Sequence, residues 1–288
     1  MFKNIYYQRD AADPVLEDSV VLSIVREYAP EAKQVVELDE TGDEARMYAV
    51  DAGIFLKVQR PQQLRYSTSL EKEALFLKYL EKNCVASAPR VLGYGKRDAV
   101  EYICMTRIPG IALKDADLTR TQQEVVLNEL GKTLFKIHTI DKTSLVDSGL
   151  FPADAGTEGV KERLLVLFER ALKRLPARLP QADIDHAIQM ARVEIDKITA
   201  VNTMAPLHAD IGYEHVFVTS DNTFSGVIDF GDAYMGHPVF DIHGVPLCDR
   251  KALLNGYFST SDPDANFNLL LNVSYTLDSI IDVLNNRK

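Results

Sequence analysis

The 288-residue chain has no repeat of fixed period, no low-complexity tract and no stretch rich in proline, glycine and serine. That excludes a solenoid and a long disordered linker between separated domains. Cysteine is scarce. Cys84, Cys104 and Cys248 are odd in number, far apart and without paired metal-ligand spacing, so free thiols in a reducing compartment are expected. Long hydrophobic runs are missing too, because no stretch approaches the ~20 apolar residues of a membrane span. The opening Met1-Phe2-Lys3-Asn4-Ile5-Tyr6-Tyr7-Gln8-Arg9-Asp10 has neither a sustained apolar segment nor a small-residue cleavage site. A cytoplasmic protein without a membrane partner is the expectation. Positive charge is in deficit as well, with 32 Lys and Arg against 42 Asp and Glu and a net charge of −10. Nucleic acid is therefore disfavoured as a partner, since phosphate binding needs a basic surface.

What is present begins with length, enough to bury a substantial core in one protein of two lobes or two small domains. The acidic excess is uneven. Asp and Glu outnumber Lys and Arg by 17 to 14 over residues 1–105, balance them at 14 each over 106–199, and exceed them by 11 to 4 over 200–288. A negative field at a cleft concentrates cations, which suits a cationic small-molecule substrate; a solubilising surface of no specific use is the plain alternative.

The densest chemistry falls in that last segment. Leu207-His208-Ala209-Asp210-Ile211-Gly212-Tyr213-Glu214-His215 is followed, nineteen residues after Asp210, by Val227-Ile228-Asp229-Phe230-Gly231-Asp232. Phosphoryl-transfer sites use an Asp to position and deprotonate the attacking hydroxyl. A residue five positions later and a second Asp before Phe-Gly hold the magnesium that bridges the nucleotide phosphates. Both spacings occur here. Residues 215–219 and 224–228 read as two strands around the turn 220–223, which sets residue 215 opposite 228 and 229. His215 and Asp229 then share one open end beside Asp210. Either motif alone is ordinarily a turn. Their conjunction selects the catalytic reading, together with a carboxylate that ends an apolar strand and is expensive to bury without a cation or hydrogen bonds.

In the first third, Gln34 to Leu38, Ala45 to Asp51 and Gly53 to Val58 read as three antiparallel strands. Gly42 in the first turn allows close approach of backbone to a phosphate, and simple turn duty serves equally well. The segment Ser69 to Glu81 reads as a helix with Leu70, Ala74, Leu77 and Leu80 facing the core. Glu73 lies on that stripe, and an inward carboxylate needs a cation. Lys57 on the preceding strand is the natural partner, with a Glu73 tilted to solvent as the alternative. Strand Tyr102 to Thr106 runs into Arg107-Ile108-Pro109-Gly110, where main-chain groups of Thr106 and Ile108 could bond a purine edge. The rest is largely helical. Leu127, Leu130, Leu134 and His138 share one stripe, with His138 expected to be a hydrogen-bonded core residue, and Ile184, Ile188, Ala191, Ile195 and Ile198 share another. The run Val160 to Leu175 is apolar on more than one side, as in a buried helix or one covering a cleft.

Together these residues resemble the aminoglycoside phosphotransferase and choline kinase-like family, small-molecule relatives of the protein kinases. The anchors are Phe55-Leu56-Lys57-Val58, Glu71 to Leu77, Arg107 to Gly110, Gly131 to His138, the Asp210 loop, Val227 to Asp232 and Gly236-His237-Pro238-Val239-Phe240-Asp241. The resemblance implies an α+β, two-lobed protein kinase-like fold, with an N-terminal antiparallel sheet and one main helix in residues 1–105 and a mostly helical C-terminal lobe in 106–288. It also implies transfer of the γ-phosphate of ATP or GTP, with Mg2+, to a small-molecule hydroxyl. Asp210 would be catalytic; Lys57, Glu73, Gly42, Thr106 and Ile108 would serve the nucleotide, and His215 and Asp229 the metal. His208 and Asp241 would support the catalytic loop. The family usually carries Asn at the place of His215 and Asp at that of His237. Some members that modify the 2″-hydroxyl of aminoglycosides have His at the first place, which makes an aminoglycoside the first choice of acceptor. Choline, an amino sugar or a macrolide is the runner-up. A transition-metal hydrolase using His208, Asp210, His215, Asp229, His237 and His243, and a nucleotide-binding pseudoenzyme, stay as rivals. Oligomeric state is not encoded in these motifs.

Overall fold

The computed structural model describes residues 5–7, 13, 15–40, 42, 44–60, 63–65, 70–97, 100–175, 179–201, 203–263 and 265–285. In chain order the elements are β1 (Ile5–Tyr7), α1 (Asp18–Val25), β2 (Val35–Asp39), β3 (Ala45–Val50), β4 (Ile54–Gln59), β5 (Gln63–Arg65), α2 (Leu70–Lys82), β6 (Val91–Arg97), β7 (Val100–Thr106), β8 (Ile111–Ala112), α3 (Arg120–Thr139), α4 (Thr143–Asp147), α5 (Gly156–Lys173), α6 (Gln181–Ile195), β9 (Ala205–Leu207), β10 (Val216–Val218), β11 (Phe224–Val227), β12 (Tyr234–Gly236), α7 (Val239–His243), α8 (Arg250–Tyr257) and α9 (Ala265–Asn285). They group into two compact units, residues 1–126, 140–152 and 208–233 in the first and 127–139, 153–207 and 234–288 in the second.

The first unit is built on an antiparallel sheet of order β2-β3-β4-β7-β6. Alternation along the strands divides its residues between two faces. Tyr48, Val50, Leu56, Val58, Tyr102 and Cys104 pack in one cluster with Val21, Ile24 and Val25 of α1. Lys57, between Leu56 and Val58, points the other way, where α2 buries Phe76, Leu77 and Leu80. Helix α2 begins at Leu70, so the expected helical Ser69 lies outside the described residues. Its first turn is capped from β7: the Glu71 N–H donates to Glu101 Oε1 at 3.1 Å. Smaller sheets pair β1 with β5, and β11, β10 and β8 in that order. Gly110 makes the last of these possible. Its φ is +100°, and a Cβ there would sit 1.9 Å from the Val218 carbonyl oxygen.

The second unit is helical apart from the β9–β12 pair. Leu127, Leu130 and Leu134 of α3 are fully buried, as their spacing predicts. Where α3 crosses α8, each helix offers a glycine: a Cβ on Gly131 would meet the Leu253 carbonyl oxygen at 2.1 Å, and one on Gly256 that of Asn128 at 1.9 Å. Helix α5 differs from its sequence expectation. Only Val160, Leu164, Phe168 and Leu172 are buried along it, a single stripe four residues apart. A second correction concerns α9, which is long and apolar enough, by length and composition alone, to cross a membrane. The expectation that no stretch approaches a span overlooked it. Its buried residues, Phe267, Leu270, Leu271, Val273, Leu277, Ile280 and Leu284 among them, follow helical spacing, and it packs against α5 and α6. Asn268, Asn272, Ser279 and Asp282 line its exposed face, the pattern of a core helix.

Candidate active site

The first unit gathers six of the expected site residues, Lys57, Glu73, His208, Asp210, His215 and Asp229, through three devices. The hairpin is the first. Strands β10 and β11 pair antiparallel with Val216 opposite Val227, and the Ile228 N–H donates to the His215 carbonyl at 3.0 Å. His215 and Asp229 therefore leave the hairpin at the same end.

The second device is His208, fully buried. Its Nε2 donates to the Ile228 carbonyl at 2.8 Å, and its Nδ1 accepts the Asp210 N–H at 3.1 Å. A carbonyl can only accept and an amide N–H only donate, so the tautomer is fixed. One ring thus ties the Asp210 loop to the residue before Asp229. Both loops hold an unusual backbone, with φ of +73° at Ala209 and +66° at Asp229. Side-chain-bearing residues adopt this region at a cost, and such conformations collect at functional sites.

The third device is a ring stack. Phe230 is fully buried, with its ring 5.5 Å from that of Phe76 on α2. Phe76 stands one helical turn beyond Glu73, so the stack that seats Phe230 also brings Asp229 and Glu73 to the same cation. Lys57 Nζ donates to Glu73 Oε2 and to Asp229 Oδ1, each at 2.8 Å. The second of these contacts adds to the motif's expectation, which gives Asp229 to the metal alone. Burial alone would drive the proton off Lys57, but Asp229 and Glu73 outweigh it and hold the ammonium well above the ordinary lysine range. Lys57 in turn holds the Asp229 carboxyl well below the usual aspartate range, against the pull of burial. Glu73 is 1% exposed, and burial pushes its carboxyl upward while Lys57 offsets part of the rise.

Asp210 and Asp229 keep 53% and 44% of their side chains open to solvent, so the site has one wet side. Desolvation by the surrounding chain lifts the Asp210 carboxyl above its ordinary value, with His215 pulling it back. His215 Nδ1 lies 2.7 Å from the Asp210 carbonyl and must be the donor there. A neutral ring then carries its lone pair on Nε2, 3.9 Å from Asp229 Oδ2. An imidazole lone pair facing the carboxylate oxygen turned away from Lys57 is a donor set that fits a divalent cation. Among the described residues, no group of three or more His, Cys, Asp or Glu side chains could hold a metal. Two ligands of the hydrolase reading have other partners: His237 Nδ1 accepts the Val239 N–H at 3.2 Å, and His243 Nε2 lies 3.1 Å from Asp278 Oδ1.

The remaining sequence candidates are placed as follows. Gly42 is exposed in the β2–β3 turn, and a Cβ there would come within 2.7 Å of the Ala45 carbonyl oxygen; Thr41 and Asp43 beside it lie outside the described residues. The Thr106 N–H is taken by the Arg90 carbonyl at 2.9 Å, and its hydroxyl accepts the Arg90 N–H at 2.9 Å. Ile108 is buried, and its N–H has no backbone partner among the described residues. Asp241 belongs to the second unit, where its Oδ2 lies 2.9 Å from His138 Nε2; His138 Nδ1 meets the Tyr257 hydroxyl at 2.9 Å.

Known proteins bear on this geometry. No curated protein matches the chain in sequence. Solved structures similar to it include the GDP and kanamycin complex of APH(2")-IIia, at 16% identity over 92% of this chain and 91% of that one, with a TM-score of 0.66. The streptomycin-ATP-APH(2")-IIa ternary complex is 18% identical over 93% and 92%, TM-score 0.60. The macrolide 2'-phosphotransferase MphH from Brachybacterium faecium is 14% identical over 94% and 93%, TM-score 0.63. These likenesses establish the α+β, protein kinase-like fold. Residues 35–260 match the model of the phosphotransferase enzyme family, a span that includes β2 to α8 and every candidate site residue. The chain belongs to that phosphotransferase enzyme family.

Proposed function

We propose that this phosphotransferase moves the γ-phosphate of ATP or GTP to a hydroxyl of an aminoglycoside, and so acts as a resistance enzyme in the cytoplasm. Residues 1–105 would form the nucleotide-binding lobe, joined at Thr106 to Ile108 by main-chain groups that also meet the nucleotide, and 106–288 would supply catalysis and the acceptor site. The observation that carries the transfer chemistry is the Lys57 ammonium bonded to both Glu73 and Asp229, in the unit that also holds Asp210. Lys57 would pair with the α and β phosphates while Glu73 fixes its direction. Main-chain groups of Thr106 and Ile108 would take the purine, with Gly42 admitting the turn to the phosphates. Asp210 would accept the proton of the acceptor hydroxyl as its oxygen bonds to the γ-phosphorus and the nucleoside diphosphate departs; an upward-shifted carboxyl suits that role. Magnesium held by Asp229 and His215 would neutralise charge across the phosphates.

The polycationic acceptor is supported by the acidic balance of residues 200–288, 11 carboxylates against 4 cations. The similarity to a macrolide phosphotransferase supports a macrolide as the second reading. Turnover of labelled ATP and GTP against panels of both drug classes tests the proposal. Phosphorylated aminoglycoside is expected, transfer to macrolides alone would move the assignment to the second reading, and nucleotide binding without transfer to either class would leave choline, an amino sugar or a pseudoenzyme.

A further inference from the structure

We propose that Asp13, on the side of the sheet away from Lys57, is a positioning residue for the turn that meets the nucleotide phosphates. The inference rests on the reading that the β2–β3 turn contacts the nucleotide. Two arginines flank that turn in space, and each bridges Asp13 to it. Arg46, 4% exposed, forks onto Asp13 with Nη1 to Oδ1 at 3.0 Å and Nη2 to Oδ2 at 3.2 Å, and sends Nε to Glu40 Oε1 at 2.9 Å. Arg60 gives Nη1 to Asp13 Oδ2 at 3.1 Å and Nη2 to the Glu40 carbonyl at 2.7 Å, while its backbone N–H takes the Glu44 carbonyl at 2.8 Å. The entry of the turn at Glu40 and its exit at Glu44 are thus both fastened to Arg60, and Asp13 aims the two guanidiniums. Bidentate, charge-assisted contacts of this kind set geometry as well as energy.

The position separates this role from direct binding. Arg46 pairs with Val58, whose side chain belongs to the α1-side cluster, whereas Met47 pairs with Lys57. Asp13 therefore acts through the turn, and its loss should weaken nucleotide binding while leaving the acceptor and the chemical step alone.

The experiment measures Kd and KM for ATP and GTP, acceptor KM, kcat and Tm on the wild type, Asp13→Asn, Asp13→Glu and Arg60→Met. Asp13→Asn should raise nucleotide Kd and KM about fivefold with acceptor KM unchanged, Asp13→Glu should restore most of the affinity, and Arg60→Met should repeat the nucleotide-selective loss. Arg60→Met also decides the matter should Asp13→Asn not fold. A lowered Tm with unchanged nucleotide Kd would reduce the network to a structural brace and overturn the proposal. A wild type that binds neither nucleotide would overturn the underlying reading, and this one with it.

Discussion

Two buried polar networks, one in each unit, show how differently the same groups can be used. Around His138 in the second unit everything is closed: His138 and Asp241 side chains are 1% and 0% exposed, and both ring nitrogens have partners. Around Lys57 in the first unit, Glu73 is as deeply buried, yet Asp229 opens to solvent and shares its cation. A closed network stabilises by satisfying every buried polar group. An open one holds a charge ready for something that is not protein. The comparison assigns structure to the first and chemistry to the second, and substitutions can break or sharpen it.

The largest effect belongs to Asp210. Asp210→Ala should lower kcat by about 10²–10⁴-fold, the worth of a positioned base, with nucleotide Kd nearly unchanged because Asp210 contacts the acceptor hydroxyl in this scheme. Single-turnover rates and nucleotide titration read the two quantities, and near-normal turnover would remove Asp210 from its role. Next come Lys57→Ala and Glu73→Ala, each expected to cut kcat/KM by roughly 10²-fold. Because both disable one pair, the double variant should lose little more than either single one. Losses that multiply would show two independent residues.

The closed network gives the opposite signature. His138→Ala removes the imidazole that Asp241 and Tyr257 share, at a cost of about 1–3 kcal/mol. Denaturant melts should fall accordingly, while kcat per folded molecule stays put.

Neighbouring Asp278 sharpens the contrast through pH. It is buried enough to be pushed upward, but contacts with His243 and Arg250 reverse this and leave its carboxyl below the ordinary value. A depressed folded pKa contributes stability that is present above the unfolded value of about 3.9 and lost as pH falls through the folded one. Asp278→Asn should flatten the acid side of the stability profile by about 1 kcal/mol or less, and an unaltered profile would deny the linkage.

Much of the open site was legible because its pieces are local. Apolar alternation and a turn at 220–223 specify the hairpin and its register, and the α2 stripe exposes Glu73 as an inward carboxylate. What escaped depends on contacts far apart in sequence. Asp229 and Lys57 are 172 positions apart, and the stack of Phe230 on Phe76, with the Val227 N–H on the Ser87 carbonyl, helps to bring them together. The Arg46–Asp13 fork spans 33 positions and joins a strand to a segment without periodicity of its own. Helix α1, eight residues long, carries too little pattern to be read, though Val21, Ile24 and Val25 pack into the cluster on one face of the sheet.

The smallest expected effect, and the most diagnostic, concerns His215, where the chain departs from its family's usual Asn. The hydrogen bond from Nδ1 to the Asp210 carbonyl leaves Nε2 toward Asp229, and an imidazole can ligate a metal only through an unprotonated nitrogen. Protons and magnesium should then compete for Nε2. At limiting magnesium the activity should fall on the acid side, and excess magnesium should move that fall to lower pH. His215→Asn should keep kcat within about tenfold, because the amide oxygen is a hard ligand that does not titrate, and the magnesium dependence of the acid limb should vanish with it. If His215 serves only to hold the Asp210 loop, the asparagine variant loses that hydrogen bond and some rate, but magnesium leaves the acid limb of both proteins unmoved. Rate profiles against pH at several magnesium concentrations separate the two roles, and acid limbs of the wild type that superimpose across them would end the ligand assignment.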